Sequence, residues 1–133
     1  MSKSSPLLEL PGLYVTVDRL VYENIASQSL QQPHAFIYFI TIHNDSKILV
    51  TIKGRKWIVT HSDGQVLIAE GDGVVGETPQ IAPGASFSYN SHHRIHTATA
   101  MVDGAYLGLD ELGRRVVTRI PRFELRVPDS AME

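Results

Sequence analysis

"GDGVVGETPQIAPG", residues 71–84, opens with Gly71, Gly73 and Gly76 in the spacing G-x-G-x-x-G. In dinucleotide-binding folds that spacing follows a strand and leads into a helix whose first amides face a pyrophosphate. Here a strand can precede it, in QVLIAE (65–70), but no helix can follow. Pro79 lies three residues beyond Gly76, Pro83 four beyond that, and Gly84 comes next. Each proline removes an amide donor and biases the residue before it away from helix. No carboxylate stands between Tyr89 and His96 to meet a ribose, and no Gly-Lys-Ser/Thr follows to make a Walker loop. The glycines therefore predict a reversal between strands. Gly71 and Gly73 would take positive φ, Val74 and Val75 would tuck inward, and Gly76 would let another strand approach. APGASF (82–87) reads as a second turn, with Pro83 and Gly84 at the centre of a type II turn. Amides left exposed in such a loop form a small anion nest, which is the residual ligand-binding option here.

The strand pattern extends in both directions from this loop. In LYVTVDRLVYE (13–23), Leu13, Val15 and Val17 alternate with polar neighbours, and the phase slips near Arg19 as a β-bulge would make it. AFIYFITIHN (35–44) is apolar on both sides, which suits a central strand. A further run, Ile48 to Gly64, carries Gly54 as a bend or bulge and ends in the hairpin signal Asp63-Gly64, with QVLIAE returning. Strands are predicted at 86–91, 98–109 and 114–127, with Gly113 in the last turn. No window sustains a helical spacing. The pattern predicts an all-β sandwich of about seven to eight antiparallel strands, ahead of a small closed barrel. Residues 1–12 read as a loose N-terminal tail, 13–128 as a single domain and 129–133 as a C-terminal tail.

With 133 residues the chain can bury a core without staples, and 43% hydrophobic with 20% charged residues suits a globular protein. It has no cysteine, which removes disulfides, thiolate metal sites and cysteine nucleophiles. A net charge of −2 with scattered basic residues argues against nucleic-acid binding. Neither a signal peptide nor a membrane span is legible, so a cytoplasmic protein is expected.

Candidate chemistry is sparse. SHHRIHT (91–97) places His92, His93 and His96 close in sequence, but in a strand His92 and His96 lie about 13 Å apart, too far for one zinc ion. Surface histidines are expected, and no metal site. In GRKWIV (54–59), Arg55 and Trp57 share a face; Trp57 is expected to anchor the core, with the Arg55 guanidinium on a neighbouring aromatic ring. No G-x-S-x-G elbow or paired carboxylates suggest catalysis.

Several landmarks nevertheless recur in a specific order: YFITIHN (38–44), GRKWIVT (54–60), GDGVVGETPQIAPGASFSYNS (71–91), GAY (104–106) and IPRFEL (120–125). Together they resemble the ApaG family, from about Leu13 to Pro128. The resemblance implies a fibronectin type III-like or immunoglobulin-like β-sandwich. It also implies an association with cobalt tolerance and magnesium efflux, and, from similar domains in certain F-box proteins and a DNA-polymerase-delta-interacting protein, a role in protein contacts. The family's glycine motif falls on Gly71, Gly73 and Gly76, and its Arg-x-Trp on Arg55 and Trp57. Ser91-His92 and Thr97-Ala98-Thr99-Ala100 stand where the family has Ser-Gly and Thr-Pro-x-Gly, so the loop around 92–100 is expected to differ in shape.

The resulting expectation is a non-catalytic module that contacts another protein, without a cofactor. An edge strand also offers a route to a homodimer. The alternative is a small-ligand sensor that takes a divalent cation or a phosphate-bearing metabolite at the glycine loop.

Overall fold

A computed structural model describes residues 7–129, and residues 1–6 and 130–133 of the expected tails lie outside the described residues. The elements are all strands: β1 (Leu8–Glu9), β2 (Leu13–Asn24), β3 (His34–Asn44), β4 (Val50–His61), β5 (Val66–Asp72), β6 (Gln80–Ile81), β7 (Ser86–Ile95), β8 (Thr99–Asp110) and β9 (Arg115–Arg126). They form two sheets. One runs β1-β9-β8-β4-β5, with β6 continuing β5's side of β4; the other is the narrow sheet β2-β3-β7. The two are joined by packing rather than by a hydrogen-bonded ladder, so the fold is a sandwich and not a closed barrel.

Alternation fixes which side chains meet between the sheets. Leu13 and Val15 of β2, Phe36, Tyr38, Ile40 and Ile42 of β3, and Val50, Ile52, Trp57 and Val59 of β4 are all buried in one cluster. The phase slip expected near Arg19 is a register shift between Val17 and Arg19. Asp18 is the extra residue, and its carboxylate accepts hydrogen bonds from Thr16 at 2.7 Å and Thr41 at 2.5 Å. Those bonds hold its pKa below the ordinary carboxylate value. A second shift, between Ile52 and Gly54, moves Arg55 and Trp57 onto the inner face of β4.

Two expectations need correction. The tail assigned to residues 1–12 is not loose throughout: Leu8 and Glu9 pair with Val116 and Val117 of β9. Leu8 and Leu10 pack on the core, and Glu9 meets Arg119 at 3.0 Å. That pairing is parallel, whereas the seven long strands pair antiparallel as the expected sandwich requires, with two two-residue strands beside them. The strand expected at 86–91 continues to Ile95, because Phe87, Tyr89, Ser91, His93 and Ile95 keep facing the interior.

Candidate functional site

The glycine stretch is a tight reversal between β5 and β6. Gly73 has φ +65°, Val75 +45° and Gly76 +81°. Val74 and Glu77 close it with reciprocal backbone bonds of 2.7 and 2.9 Å, and the Gly73 amide donates to the Lys53 carbonyl at 2.7 Å. The amides of Gly73, Val74 and Glu77 thus point into the loop's own frame. Farther on, the Pro83-Gly84 turn forms as expected, with Gly84 at φ +82° and the Ala85 amide donating to Ala82.

The individual glycines do different work from that expected. Gly71 is an ordinary member of β5 rather than a left-handed turn residue. Its missing side chain makes room for Arg55: a Cβ there would lie 2.7 Å from Nη2 and 2.8 Å from Cζ. Close backbone approach belongs to Gly73, where a Cβ would meet the Glu77 carbonyl oxygen at 2.3 Å, whereas Gly76 faces open space. Val74 is fully buried, but Val75 is 53% exposed.

Arg55 explains the arrangement. Its guanidinium lies against Gly71 rather than on an aromatic ring, and Nη1 donates to the carbonyls of Asp72 at 2.8 Å and Gly73 at 3.1 Å. Two landmarks separated in sequence, Arg-x-Trp and Gly-x-Gly, are therefore one structural unit. Trp57 is buried as expected, with its ring 4.7 Å from Tyr38.

Between the sheets, residues of β4, β5 and β7 border one cleft of about 260 Å³, lined by Arg55, Trp57, Ala69, Tyr89, Ser91 and His93, with Val75 also on its rim. His93 is the side chain that sequence reasoning misplaced. It is not a surface histidine: its ring stacks on Tyr38 at 5.0 Å and meets Trp57 edge-on at 5.2 Å. Its Nε2 is buried without a hydrogen-bond partner. Burial, with a smaller contribution from His92, pushes its pKa down to about 4, so the ring is neutral near pH 7. Tyr89 and Tyr106 share a hydrogen bond between their hydroxyls. Burial raises the pKa of both, which keeps them protonated. Positions 87, 89, 91, 93 and 95 alternate with polar residues, and that was the signal available for placing His93 inside.

The other histidines go elsewhere. His92 faces solvent, while His96 pairs with Asp63 at 2.6 Å and lies 4.9 Å from the His61 ring. No group of three metal-ligating side chains occurs among the described residues. A larger hollow of about 400 Å³ lies against the outer face of the narrow sheet. Its charges, Glu23 and Arg94, oppose each other and select no ligand charge.

A histidine with pKa near 4 is a weak base at neutral pH. Tyr89 lines the cleft with its hydroxyl bonded to that of the buried Tyr106, and Arg55 supplies fixed positive charge.

These features define a small two-sheet β-sandwich with an arginine-braced glycine loop over its open side. The chain belongs to the ApaG family: the ApaG domain profile matches residues 24–109. It is 35% identical to Protein ApaG of Vibrio cholerae over 91% of this chain and 95% of that one. It is 38% identical to Protein ApaG of Deinococcus radiodurans over 87% and 91%. A crystal structure described as an ApaA protein from Bordetella pertussis superposes with a TM-score of 0.74 at 29% identity, covering 93% of this chain and 99% of that one. A structural-genomics X-ray structure superposes with a TM-score of 0.80 at 30% identity, covering 89% of each chain. No helix among the described residues is long and apolar enough to cross a membrane.

Proposed function

We propose that this domain is a non-catalytic binding module that takes an extended segment of a partner protein alongside β5. The carrying observation is the contrast between β5 and the other sheet edges. Val66, Leu67 and Ile68 follow one another along β5 at 55%, 47% and 56% exposure, with one side of the backbone unpaired. Protected edges carry charge, proline or a bulge. The β9 edge has Arg119, Pro121, Arg122, Glu124 and Arg126; β2 has its bulge at Asp18; β7 turns His92 and Arg94 outward. Along β5 the first charge after the apolar triplet is Glu70, held by Lys56 at 3.3 Å. An added strand would gain backbone hydrogen bonds and apolar contacts on both faces. A link to cobalt and magnesium handling would run through that partner.

The test places a photo-crosslinking residue at position 68 or, as a control, at the exposed Leu20 of β2, in cells expressing the domain at native level. A discrete protein adduct at 68, absent at 20 and lost in Val66→Lys, is the expected result. Sedimentation of the purified protein separates a second copy from another protein as the occupant. No adduct at 68, or the same adducts at both positions, refutes the reading.

A further inference from the structure

We propose that the cleft beneath the glycine loop is a binding site for a small organic anion, with its carboxylate or phosphoryl group on Arg55 and its apolar body against Trp57. The site goes beyond the β5 reading and stands if that reading fails.

Charge comes first. Arg55 forms no ion pair with a carboxylate among the described residues, whereas Arg114, Arg119, Arg122 and Arg126 each do. Its Nη1 is pinned by two carbonyls. The guanidinium is thus oriented in advance, and a charge held in that way recognises planar or tetrahedral oxyanions well. Only glycine at position 71 leaves it that space.

Unsatisfied polarity comes second. Buried ring nitrogens normally find partners, yet His93 Nε2 has none. The neutral ring can place its proton on Nε2, and a ring shift that uncovers this shielded atom would let it donate to an oxyanion in the cleft. His93 and Arg55 line the same cleft, from opposite sheets.

Backbone strain comes third. Val75 holds φ +45° although it is β-branched, a combination that is a genuine outlier. Such residues gather at ligand clamps. The conformation sets an exposed isopropyl group on the rim of the cleft. The volume of about 260 Å³ lies just under the usual ~300–1,000 Å³ of ligand pockets, so the ligand is small.

Trp57 is the sole tryptophan, so its indole N–H gives one nuclear magnetic resonance cross-peak that reports on the cleft wall. Titration with benzoate and with phenylphosphonate distinguishes a carboxylate from a phosphoryl ligand; benzamide and benzylamine are the neutral and cationic controls. The expected result is saturable movement of the Trp57 peak with at least one anion, and at least about tenfold weaker binding of both controls. Arg55→Gln should abolish the movement. Because that variant removes a brace of the loop, Ala69→Leu is the second test: it fills the mouth of the cleft without touching the Arg55 bonds, and should abolish binding in a protein that melts normally. Lys56→Gln, on the other face of β4, should bind as the parent does. Benzamide binding as tightly as benzoate and phenylphosphonate, unchanged titration in Ala69→Leu, or an unmoved Trp57 peak with both anions would overturn the proposal.

Discussion

Replacing Gly71 with alanine tests whether the glycine loop and Arg55 act as one unit. The new methyl would lie 2.7 Å from Nη2 and 2.8 Å from Cζ of Arg55. What it meets is the tip of a flexible side chain, so swinging the guanidinium away relieves the overlap cheaply. The loss lies in the bonds abandoned, from Nη1 to the carbonyls of Asp72 and Gly73 at 2.8 and 3.1 Å. Bonds to a charged group contribute about 1.5–3 kcal/mol each when shielded. The first of these is exposed and the second only partly buried, so a total of about 1–3 kcal/mol is the appropriate scale. Alanine also narrows the unfolded ensemble, which returns roughly 0.4–1 kcal/mol. The net expectation is a destabilisation of about 1–2 kcal/mol. In an Arg55→Met background the same bonds are already gone, and Gly71→Ala should be neutral or slightly stabilising. Urea unfolding of the four proteins, followed by Trp57 fluorescence, completes the double-mutant cycle. An equal cost in both backgrounds would show that the guanidinium is not what the absent side chain accommodates.

The other glycines should rank by what surrounds them. Gly73→Ala, with φ +65° and a Cβ driven 2.3 Å from the Glu77 oxygen, should lose about 3 kcal/mol or more, while Gly76→Ala, at φ +81° in open space, should lose about 1–2, as read by thermal melts. Asn44 is fully buried and donates to the carbonyls of Ile48 at 2.9 Å and Ile81 at 2.8 Å; Asn44→Ala should lose about 2–4 kcal/mol in urea titration. His93 gives a pH signature. Its folded pKa of about 4 lies below the ordinary 6.5, so the unfolded chain binds the extra proton between those values and stability falls as pH drops through that window. The loss is on the order of 3 kcal/mol, and His93→Phe should flatten that part of a stability-against-pH curve.

Strand-level structure was readable because it depends on local chemistry. The break in alternation at Arg19 marks a real bulge, and Asp63-Gly64 does make the hairpin, with Gly64 at φ +92°. The prolines at 79 and 83 exclude a helix, and the loop is a reversal. The site was less readable because its parts meet through pairing. Whether Arg55 reaches an aromatic ring or a carbonyl depends on Gly71 lying opposite it across the β4–β5 ladder. His93 illustrates a different difficulty. Alternation from Phe87 could have turned it inward, but three histidines close together in a polar segment read as surface. The short parallel pairing of Leu8 and Glu9 with β9 has no local pattern at all, since two residues carry no period.

That pairing determines how the protein can be tethered. Chain entering at β1 and chain leaving after β9 both emerge at the flank of the wide sheet opposite β5. Three to four interstrand spacings, roughly 14–19 Å, separate them from the β5 border. A linker leaving β1 or β9 therefore starts from the flank opposite β5, so protein immobilised through it should keep that border accessible for capture experiments.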